Sequence, residues 1–478
     1  MDYSTILLIF ALLSGFYMAW SIGANDVANA MGTSVGSGAL TVKRAVIIAA
    51  VLEFAGAFFA GSHVSQTIRK GIINPNLFAG HEMDLVFGMI GALLAAAIWL
   101  QIASYNGWPV STTHSIVGAV LGFGVAYGGI NAADWAKVGS IVASWVVSPL
   151  LSGSIAFALF SLLRNLIYKN PNPIRAAKKV TPFIVFVVFL VLTLAMVFKG
   201  LKNLHLDLDF GGAFLVGIII GLLAAGISIL LLRRIDENEL TDAKKERPDS
   251  QAPNIGKRVD KAITQIEKAL ARVEDPSAQT RLESIKAELQ AFEKDLDIES
   301  GMDRDSQEFK TVERIFIYLQ ILSASFVAFA HGANDVANSV GPLAAVVTIL
   351  QTGEIAMKSA VPVWILVLGG VGIVIGLATW GWRVMLTIGK KITELTPTRG
   401  FSAEFATATT LVLATKLGLP VSTTHTLVGG VLGVGFARGI KALNLQVVNN
   451  IIISWVVTIP AGAFGALIIY YLLKAVFG

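Results

Sequence analysis

The amino-acid composition is that of a membrane protein. The chain has 478 residues, of which 54% are hydrophobic and 14% are charged, whereas soluble domains carry about 25% charged residues. This composition excludes an ordinary soluble protein, and we expect an all-α, polytopic membrane protein. The sequence contains no cysteine, so disulfide bonds and thiolate metal sites are excluded. We attribute the net charge of +5 to lysines and arginines that flank membrane segments rather than to a nucleic-acid surface.

Apolar runs that could span a membrane recur along the chain. In the first half they lie near residues 4–22, 45–61, 85–104, 110–130 and 137–163. Two more lie near 180–198 and 210–232. In the second half they lie near 314–331, 342–380 (divided near Lys358), 401–419, 421–440 and 446–474. Because a spanning helix needs roughly 20 mostly apolar residues, we expect about 12 membrane segments, several of them short or interrupted by Gly and Pro.

One seven-residue stretch occurs twice, letter for letter. Gly-Ala-Asn-Asp-Val-Ala-Asn stands at 23–29 and again at 332–338. The order of motifs is the same in both halves, so a whole half has been duplicated. Two further pairs keep nearly the same offset of 309–311 positions, namely Pro-Val-Ser-Thr-Thr-His at 109–114 and 420–425, and Ser-Trp-Val-Val at 144–147 and 454–457.

The duplication predicts a chain of four parts. Residues 1–165 and 312–478 are the two repeats, residues 166–232 link them and carry two extra spans, and residues 233–311 form a charged segment. Five crossings in the first repeat and two in the linker leave the second repeat inverted relative to the first. Inverted repeats with discontinuous or re-entrant half-helices are typical of secondary transporters, whose binding site lies near the membrane midplane.

The charged segment carries 15 basic and 19 acidic side chains within residues 233–310. Its apolar residues recur at spacings of three and four in two series, separated by Asp275-Pro276-Ser277, which predicts two amphipathic helices folded as a hairpin. Because the linker spans have basic flanks, we place this segment in the cytoplasm and the protein in a cell membrane, inner or plasma. The hairpin is either a packed linker or a regulatory or dimerising module. The two series are Val259, Ile263, Ile266, Leu270 and Val273, and Leu282, Ile285, Leu289, Phe292 and Leu296.

Each copy of the repeated stretch places an acid and two amides inside an apolar segment. An acid in a membrane span is energetically expensive and is a functional hypothesis by default. Carboxylate and amide oxygens suit Na⁺, and an aspartate could instead carry a proton. The alternative is that these side chains only satisfy backbone groups where a helix is broken. The candidate cation ligands are Asn25, Asp26, Asn29, Asn334, Asp335 and Asn338, with Na⁺ expected at Asp26, Asn29, Asp335 and Asn338.

The second motif predicts an anion site. Each Ser-Thr-Thr follows a proline and precedes a glycine-rich apolar run, which is the pattern of a helix N-terminus. Free backbone N–H groups and the positive end of the helix dipole bind anions there, and the hydroxyl groups add donors. The alternative is ordinary capping of a helix inside the bilayer. The candidate ligands are Ser111, Thr112 and Thr113 in the first copy, and Ser422, Thr423 and Thr424 in the second.

Together the two motifs narrow the substrate. Neither motif contains Lys or Arg, so no fixed positive charge neutralises the anion, and two carboxylates would repel a dianion. That arrangement works if cations enter with the anion, or if the anion carries a proton that a carboxylate can accept. Hydrogen phosphate has such a proton and sulfate does not. The sequence therefore favours phosphate co-transported with a cation, and a sulfate or other oxyanion permease is the alternative of the same class.

Both motif pairs closely resemble those of the inorganic phosphate transporter (PiT) family, over roughly 1–165 and 312–478. The resemblance implies a secondary transporter of inverted repeats that imports phosphate by symport with Na⁺ or H⁺ and uses no other cofactor. It also implies that Asn25, Asp26, Asn334, Asp335 and the two Ser-Thr-Thr runs line the phosphate and cation sites. The linker spans and the charged segment match the family only in placement. A homodimer is compatible with this class of protein.

Four further titratable residues lie in apolar surroundings. Glu53 and Glu404 look like membrane glutamates found in this family, but they are not repeat mates of each other. We expect Glu53 to be either a cation ligand or gate, or paired to a neighbouring helix. We expect Glu404 to pair with Arg399 or Arg383. His114 and His425 end their motifs, where a structural hydrogen bond is the expected role and proton coupling the alternative; the four residues are Glu53, His114, Glu404 and His425.

Two functions from other classes fit parts of the pattern. An intramembrane hydrolase could use Ser111 with His114, since nucleophilic catalysis needs a base within hydrogen-bond reach. Such an enzyme needs only one pair, so the duplication would be unexplained. A channel could be lined by broken helices at the midplane, and saturable, cation-dependent flux would exclude it. The chain is therefore not expected to be an enzyme.

Overall fold

The protein is all-helical. The computed structural model describes residues 3–73, 75–199, 209–233, 255–271, 273, 275–298, 307–355, 361–416 and 421–478. Lys358 and Pro420, which the sequence analysis uses, lie outside these residues. Within them, the only pairing of β type is one isolated bridge between Ile73 and Ala133. The α-helices are Tyr3–Gly36 (α1), Val42–Gly71 (α2), Glu82–Asn106 (α3), Thr112–Gly128 (α4), Trp135–Leu163 (α5), Pro173–Lys199 (α6), Phe210–Leu232 (α7), Ile255–Leu270 (α8), Pro276–Ile298 (α9), Gln307–Thr352 (α10), Val363–Thr379 (α11), Trp382–Leu386 (α12), Pro397–Lys416 (α13), Thr423–Arg438 (α14) and Leu445–Phe477 (α15).

Several helices are long and apolar enough to cross a membrane. The described residues contain seven such helices, or eight if a pair bent by 56° is counted as one span. This confirms a multi-pass membrane protein, while the arrangement of about 12 segments in inverted repeats stays a prediction. The seven are Tyr3–Gly36, Glu82–Asn106, Trp135–Tyr168, Pro173–Leu194, Gly211–Leu232, Gln307–Thr352 and Leu445–Phe477, and the bent pair is Val363–Thr379 with Trp382–Lys391.

Both copies of the acid-bearing stretch lie inside continuous helices. Helix α1 runs through 23–29 to Gly36, and α10 runs through 332–338 and past Pro342 to Thr352. The predicted separation of runs 314–331 and 342–380 is therefore wrong, because α10 joins the first to the start of the second. The motif lowers hydropathy without breaking the backbone, since its polar side chains find partners in neighbouring helices.

The chain breaks instead at the Ser-Thr-Thr motifs. Helix α3 ends at Gly107, whose φ of 69° favours glycine, and the chain continues to Ser111, which caps α4. Ser422 caps α14 in the same way. Helices α4 and α14 have 17 and 16 residues and start at the second residue of each Ser-Thr-Thr. The predicted short helices with capped N-termini are thus present.

The two halves of the chain interlock through glycine contacts. A Cβ on Gly23 would lie 2.0 Å from the carbonyl oxygen of Ile373 in α11, and one on Gly332 would lie 2.1 Å from the carbonyl oxygen of Glu53 in α2. Small residues of this kind let membrane helices approach closely. Helix α1 of the first repeat therefore packs on α11 of the second, and α10 of the second packs on α2 of the first. This packing brings Glu53 beside the second motif.

The charged segment contains the predicted helical pair. Helices α8 and α9 pack against each other and are joined by an ion pair of 2.7 Å between Lys286 and Glu267. Ile263 is buried, as its place in the apolar series predicts. Residues 234–254 and 299–306 of the segment, and the side chains of Val259, Phe292 and Leu296, lie outside what the structure describes.

Candidate functional site

A buried cluster of two acids and one histidine lies where α1 meets α10. The Nε2 atom of His331 is 2.7 Å from Oδ2 of Asp335 and 3.6 Å from Oδ2 of Asp26. One ligand atom from each of these three residues lies within 4.8 Å of the others. All three are fully buried. The two acids of the duplicated motif, 309 positions apart, therefore share one site.

A third acid faces the same histidine. Oε2 of Glu53 lies 3.5 Å from Nδ1 of His331, and the Glu53 side chain is fully buried. Neither carboxylate oxygen of Glu53 has a hydrogen-bond partner in the described part of the chain. Because a buried carboxylate without hydrogen bonds is costly, Glu53 is placed to interact with a positive charge. The expected pairing with a neighbouring helix is seen, and its partner is His331.

His331 is the functional candidate that the sequence analysis missed. It stands directly before the second copy of the motif, where the first copy has Ile22. A comparison of identical positions alone leaves out the difference between Ile22 and His331. A signal was nevertheless present, because a histidine in place of an isoleucine, directly beside a duplicated acid, is a departure inside an otherwise exact repeat.

The first motif bonds to hydroxyls of the second repeat. The Nδ2 group of Asn29 donates to Oδ1 of Asp26 and to the hydroxyl of Thr424, each at 2.8 Å. The Thr424 hydroxyl in turn lies 3.2 Å from Oδ1 of Asp26, to which it donates. An acid, an amide and a hydroxyl thus form a closed triangle across the two halves of the chain.

The second motif bonds to hydroxyls of both repeats. The Nδ2 group of Asn338 donates to the hydroxyls of Thr112 and Thr113 at 3.3 Å each, and lies 3.5 Å from Oδ1 of Asp335. The Thr423 hydroxyl donates to Oδ2 of Asp335 at 3.2 Å. Each acid-bearing motif therefore meets the N-terminus of the short helix from the other repeat. The aspartates and second asparagines of both motifs and the threonines of both short helices therefore lie together in one polar cluster, and their roles as ligands stay a prediction.

The remaining predicted ligands have other partners. The hydroxyls of Ser111 and Ser422 each accept the backbone N–H two residues into their helix, from His114 and His425, at 3.2 Å. They act as caps, which is the alternative considered for this motif. The threonines, and not the serines, are the members of each run that contact the acid-bearing motif.

Asn25 and Asn334, which directly precede the two aspartates, have different hydrogen-bond partners. Asn25 donates to the Ser104 hydroxyl and to the Trp108 carbonyl at 3.0 Å each, and its Oδ1 accepts the backbone N–H of Val110 at 3.2 Å. Its amide is therefore occupied in holding the break between α3 and α4. Asn334 donates to Oδ1 of its neighbour Asp335 at 2.9 Å. It is the one of the pair that keeps its contact within the acid cluster.

Besides the oxygens of Glu53 and the ring nitrogens of His331, two oxygens of the first motif lack hydrogen-bond partners among the described residues. They are Oδ2 of Asp26 and Oδ1 of Asn29, both buried. Buried polar atoms are nearly always satisfied, so each unsatisfied one calls for an explanation. A carboxylate oxygen and an amide oxygen one helical turn apart are ligands of the kind that hard cations prefer.

Glu404 does not pair with Arg399 or Arg383, so that expectation is wrong. Its carboxylate accepts from the hydroxyls of Thr33, Ser34 and Ser323 and, at 3.4 Å, from the side-chain amide of Gln320. Glu404 is fully buried in α13, where neutral donors from α1 and α10 reach it. Arg399 instead lies 3.8 Å from Glu394, and Arg383 donates to the Tyr105 carbonyl.

The two motif histidines pack against each other and against tryptophans. The rings of His114 and His425 have centroids 4.3 Å apart, and they lie on Trp145 and Trp455 at 3.7 and 3.6 Å. Nδ1 of His425 is 3.4 Å from the Trp145 carbonyl oxygen, which is the structural bond expected of it. Ser111 contacts the backbone of His114 and not its ring, so the described geometry does not form a nucleophile–base pair.

A multi-pass helical protein with a buried polar cluster built from both halves of the chain has the architecture expected of a membrane transporter. The chain belongs to the phosphate transporter family, whose model matches residues 22–466. It is therefore a transporter and not an enzyme, and the hydrolase alternative is excluded.

Individual relatives agree with this assignment. The chain is 45% identical to "Inorganic phosphate transporter 2-1, chloroplastic" of Arabidopsis thaliana, over 96% of this chain and 70% of that protein. It is 41% identical to a "Putative phosphate permease" of Haemophilus influenzae, over 100% and 99% of the two chains. Among solved structures, it is similar to "The sodium-dependent phosphate transporter", with a TM-score of 0.76 and 38% identity over 98% of this chain and 99% of that one.

Proposed function

We propose that this protein imports inorganic phosphate by symport with Na⁺, through alternating access. One observation carries the proposal: each acid-bearing motif is hydrogen-bonded to the hydroxyls at the N-terminus of the other repeat's short helix, as in the contacts of Asn29 with Thr424 and of Asn338 with Thr112. Cation ligands and anion ligands are therefore adjacent, and filling one half of the site changes the electrostatic potential in the other.

The order of binding follows from charge. With the site empty of cations, Asp26 and Asp335 repel an approaching phosphate, since two unit charges about 4 Å apart interact by about 4 kcal/mol at an effective dielectric constant of 20. Cations bound at Asp26, Asn29, Asp335 and Asn338 would remove that barrier. Phosphate then accepts hydrogen bonds from Thr112, Thr113, Thr423 and Thr424 and from backbone N–H groups of α4 and α14. Coupling is thus an electrostatic requirement of the site.

Na⁺ is the favoured coupling ion for two reasons. The unsatisfied oxygens of Asp26 and Asn29 suit a hard metal ion, and a similar solved protein is described as sodium-dependent. H⁺ is the alternative, and the contact of His331 with both aspartates is the observation that favours it. A histidine beside a carboxylate is a common proton carrier.

The burial of the site supports the proposal of alternating access. Asp26, His331 and Asp335 are fully buried, so the site must open towards each side in turn. We propose that the two repeats are inverted and that the end of the molecule at which α10 begins is cytoplasmic. The helices that bear the motifs would then rock against the remaining spans.

Radiolabelled phosphate uptake into proteoliposomes tests the proposal. An inward Na⁺ gradient and an inward H⁺ gradient are imposed separately, with sulfate as competitor. Uptake driven by Na⁺ alone supports the proposal as stated. Uptake driven by H⁺ alone would assign proton transfer to the aspartates and His331. Transport of sulfate without phosphate under either gradient would overturn the assignment of phosphate as the substrate.

A further inference from the structure

A basic cleft lies at the end of α1, away from the enclosed site. It has a volume of roughly 530 Å³ and is lined by Gly36, by a π-helical turn at Thr387–Lys391, and by the segment around the turn Ile440–Ala442. Three lysines line it, and all three are exposed: Lys390, Lys391 and Lys441.

The acid of the cleft has its charge offset by arginines. Oε2 of Glu394 lies 3.4 Å from Arg438 and 3.8 Å from Arg399, and both arginines are buried. Arg438 also donates to the Glu394 carbonyl and to the Thr393 hydroxyl, so the arginine side chains hold this segment in place. The three lysines and these two arginines give the cleft five positive groups, and Glu394 gives it one negative group. Its field attracts anions.

A polar stripe on α1 connects the enclosed site with the cleft. Asp26, Asn29 and Thr33 follow one another at spacings of three and four, which places them on one face of the helix, and Ser37 lies in the turn just after the helix ends at Gly36. Ser37 donates to Oε1 of Gln320 at 2.7 Å. From Asp26 to Gly36 the helix rises by about 15 Å.

The second repeat has no equivalent stripe. The positions that correspond to Thr33 and Ser37 after Asp335 and Asn338 are Pro342 and Val346, which are apolar. Polar side chains therefore lead from the enclosed site to this one end of the molecule, the end at which α10 begins. A cleft of positive charge at the end of such a stripe is placed to receive or supply an anion.

We propose that this cleft, formed around Lys390, Lys391 and Lys441, is a second anion site that binds a phosphate-type oxyanion. The oxyanion is either free phosphate on its way from the enclosed site or the phosphate headgroup of an anionic lipid. Ammonium groups bind phosphate as point charges without requiring one geometry, which suits a transient site. The first source rests on the proposed function, whereas the second does not.

The test replaces the three lysines together, as Lys390→Gln, Lys391→Gln and Lys441→Gln in the full chain. A matched control replaces three exposed lysines outside the cleft with the same change of charge: Lys43→Gln, Lys169→Gln and Lys310→Gln. A third variant has arginine at the three cleft positions. It keeps the positive charge, so it separates the effect of charge from an effect of substitution on folding. Each variant is purified, checked for a single symmetric peak on gel filtration, and reconstituted in vesicles of phosphatidylcholine alone or with phosphatidylglycerol.

Two readouts separate the sources. If the cleft serves free phosphate, the glutamine variant raises the KM for phosphate by roughly tenfold at low ionic strength in phosphatidylcholine vesicles, with kcat unchanged, and high salt removes the difference. If it serves a lipid, KM is unchanged and the purified glutamine variant loses binding of phosphatidylglycerol. In both cases the arginine variant resembles the parent. A glutamine variant that matches the control in KM and in lipid binding overturns the proposal. A parent chain that fails to transport phosphate overturns the proposed function instead, and the lipid readout still tests the cleft.

Discussion

The side-chain amide of Asn29 donates a 2.8 Å hydrogen bond to the hydroxyl of Thr424, although 395 positions separate the two residues. The reciprocal contact, from Asn338 to Thr112, spans 226 positions. Neither repeat thus completes a site from its own residues. The duplicated motifs thus lie in one buried polar cluster, and we propose that they act as two halves of one binding site.

Neutralising either aspartate should stop transport without unfolding the protein. Asp26→Asn and Asp335→Asn keep the shape of the side chain and remove a charged partner worth about 1.5–3 kcal/mol, so we expect uptake to fall roughly 10- to 100-fold. Uptake and thermal unfolding are measured together. Asp134→Asn, which changes an exposed helix cap outside the duplicated motifs, serves as the control. Undiminished cation-driven uptake in both site variants would rule out the ligand assignment.

Replacing His331 by the residue of the other repeat should destabilise the empty protein. In His331→Ile the carboxylates of Asp26, Asp335 and Glu53 lose their shared partner, and breaking a buried pair costs about 3–5 kcal/mol. Na⁺ should restore part of the loss, because a bound cation neutralises the same carboxylates. The measurement is the melting temperature of parent and variant with and without Na⁺. If Na⁺ raised the melting temperature equally in both proteins, His331 and the cation would not neutralise the same carboxylates.

The Glu404 cluster should depend on shape and acceptor capacity more than on the charge of the carboxylate. Glu404→Ala leaves the hydroxyls of Thr33, Ser34 and Ser323 without their acceptor, at about 1–3 kcal/mol for each group left unsatisfied, whereas Glu404→Gln retains an acceptor oxygen. We expect a much lower melting temperature for the alanine variant than for the glutamine variant. Equal decreases in melting temperature in the two variants would show that the charge of Glu404, and not its hydrogen bonding, stabilises the cluster.

The glycine that opens each motif should not tolerate a methyl group. Gly23→Ala and Gly332→Ala would place a Cβ at 2.0 and 2.1 Å from backbone oxygens of α11 and α2, and overpacking of this kind costs about 1–3 kcal/mol or more. Gly139→Ala is a matched control, because no atom lies within 4 Å of a Cβ there. We expect the control to be neutral or slightly stabilising, since alanine favours helix over glycine. The measurement is the melting temperature of each variant. Equal melting temperatures for all three variants would refute the close approach of Gly23 and Gly332 to the neighbouring helices.

Much of the fold and most of the site follow from hydropathy and duplication. The all-helical character, the acid cluster and the threonines at the start of α4 and α14 were predicted, because each rests on a repeated pattern. Helix continuity through 332–338 was not, because hydropathy falls at polar residues whether or not the backbone breaks. The partners of Glu404 and the role of His331 were missed for another reason. Both depend on which helices meet in space, and neither residue has a counterpart in the other repeat.

Helix α10 starts at Gln307, within the last residues of the charged segment, and is free of proline until Pro342, beyond His331 and Asp335. From Gln307 to Asp335 it extends about 42 Å as one stiff rod. Because every turn of a helix is hydrogen-bonded to the next, a twist applied at Gln307 rotates the acid and the histidine with it. We therefore expect a rotation of the first turn of α10 to change the direction in which the side chains of His331 and Asp335 point.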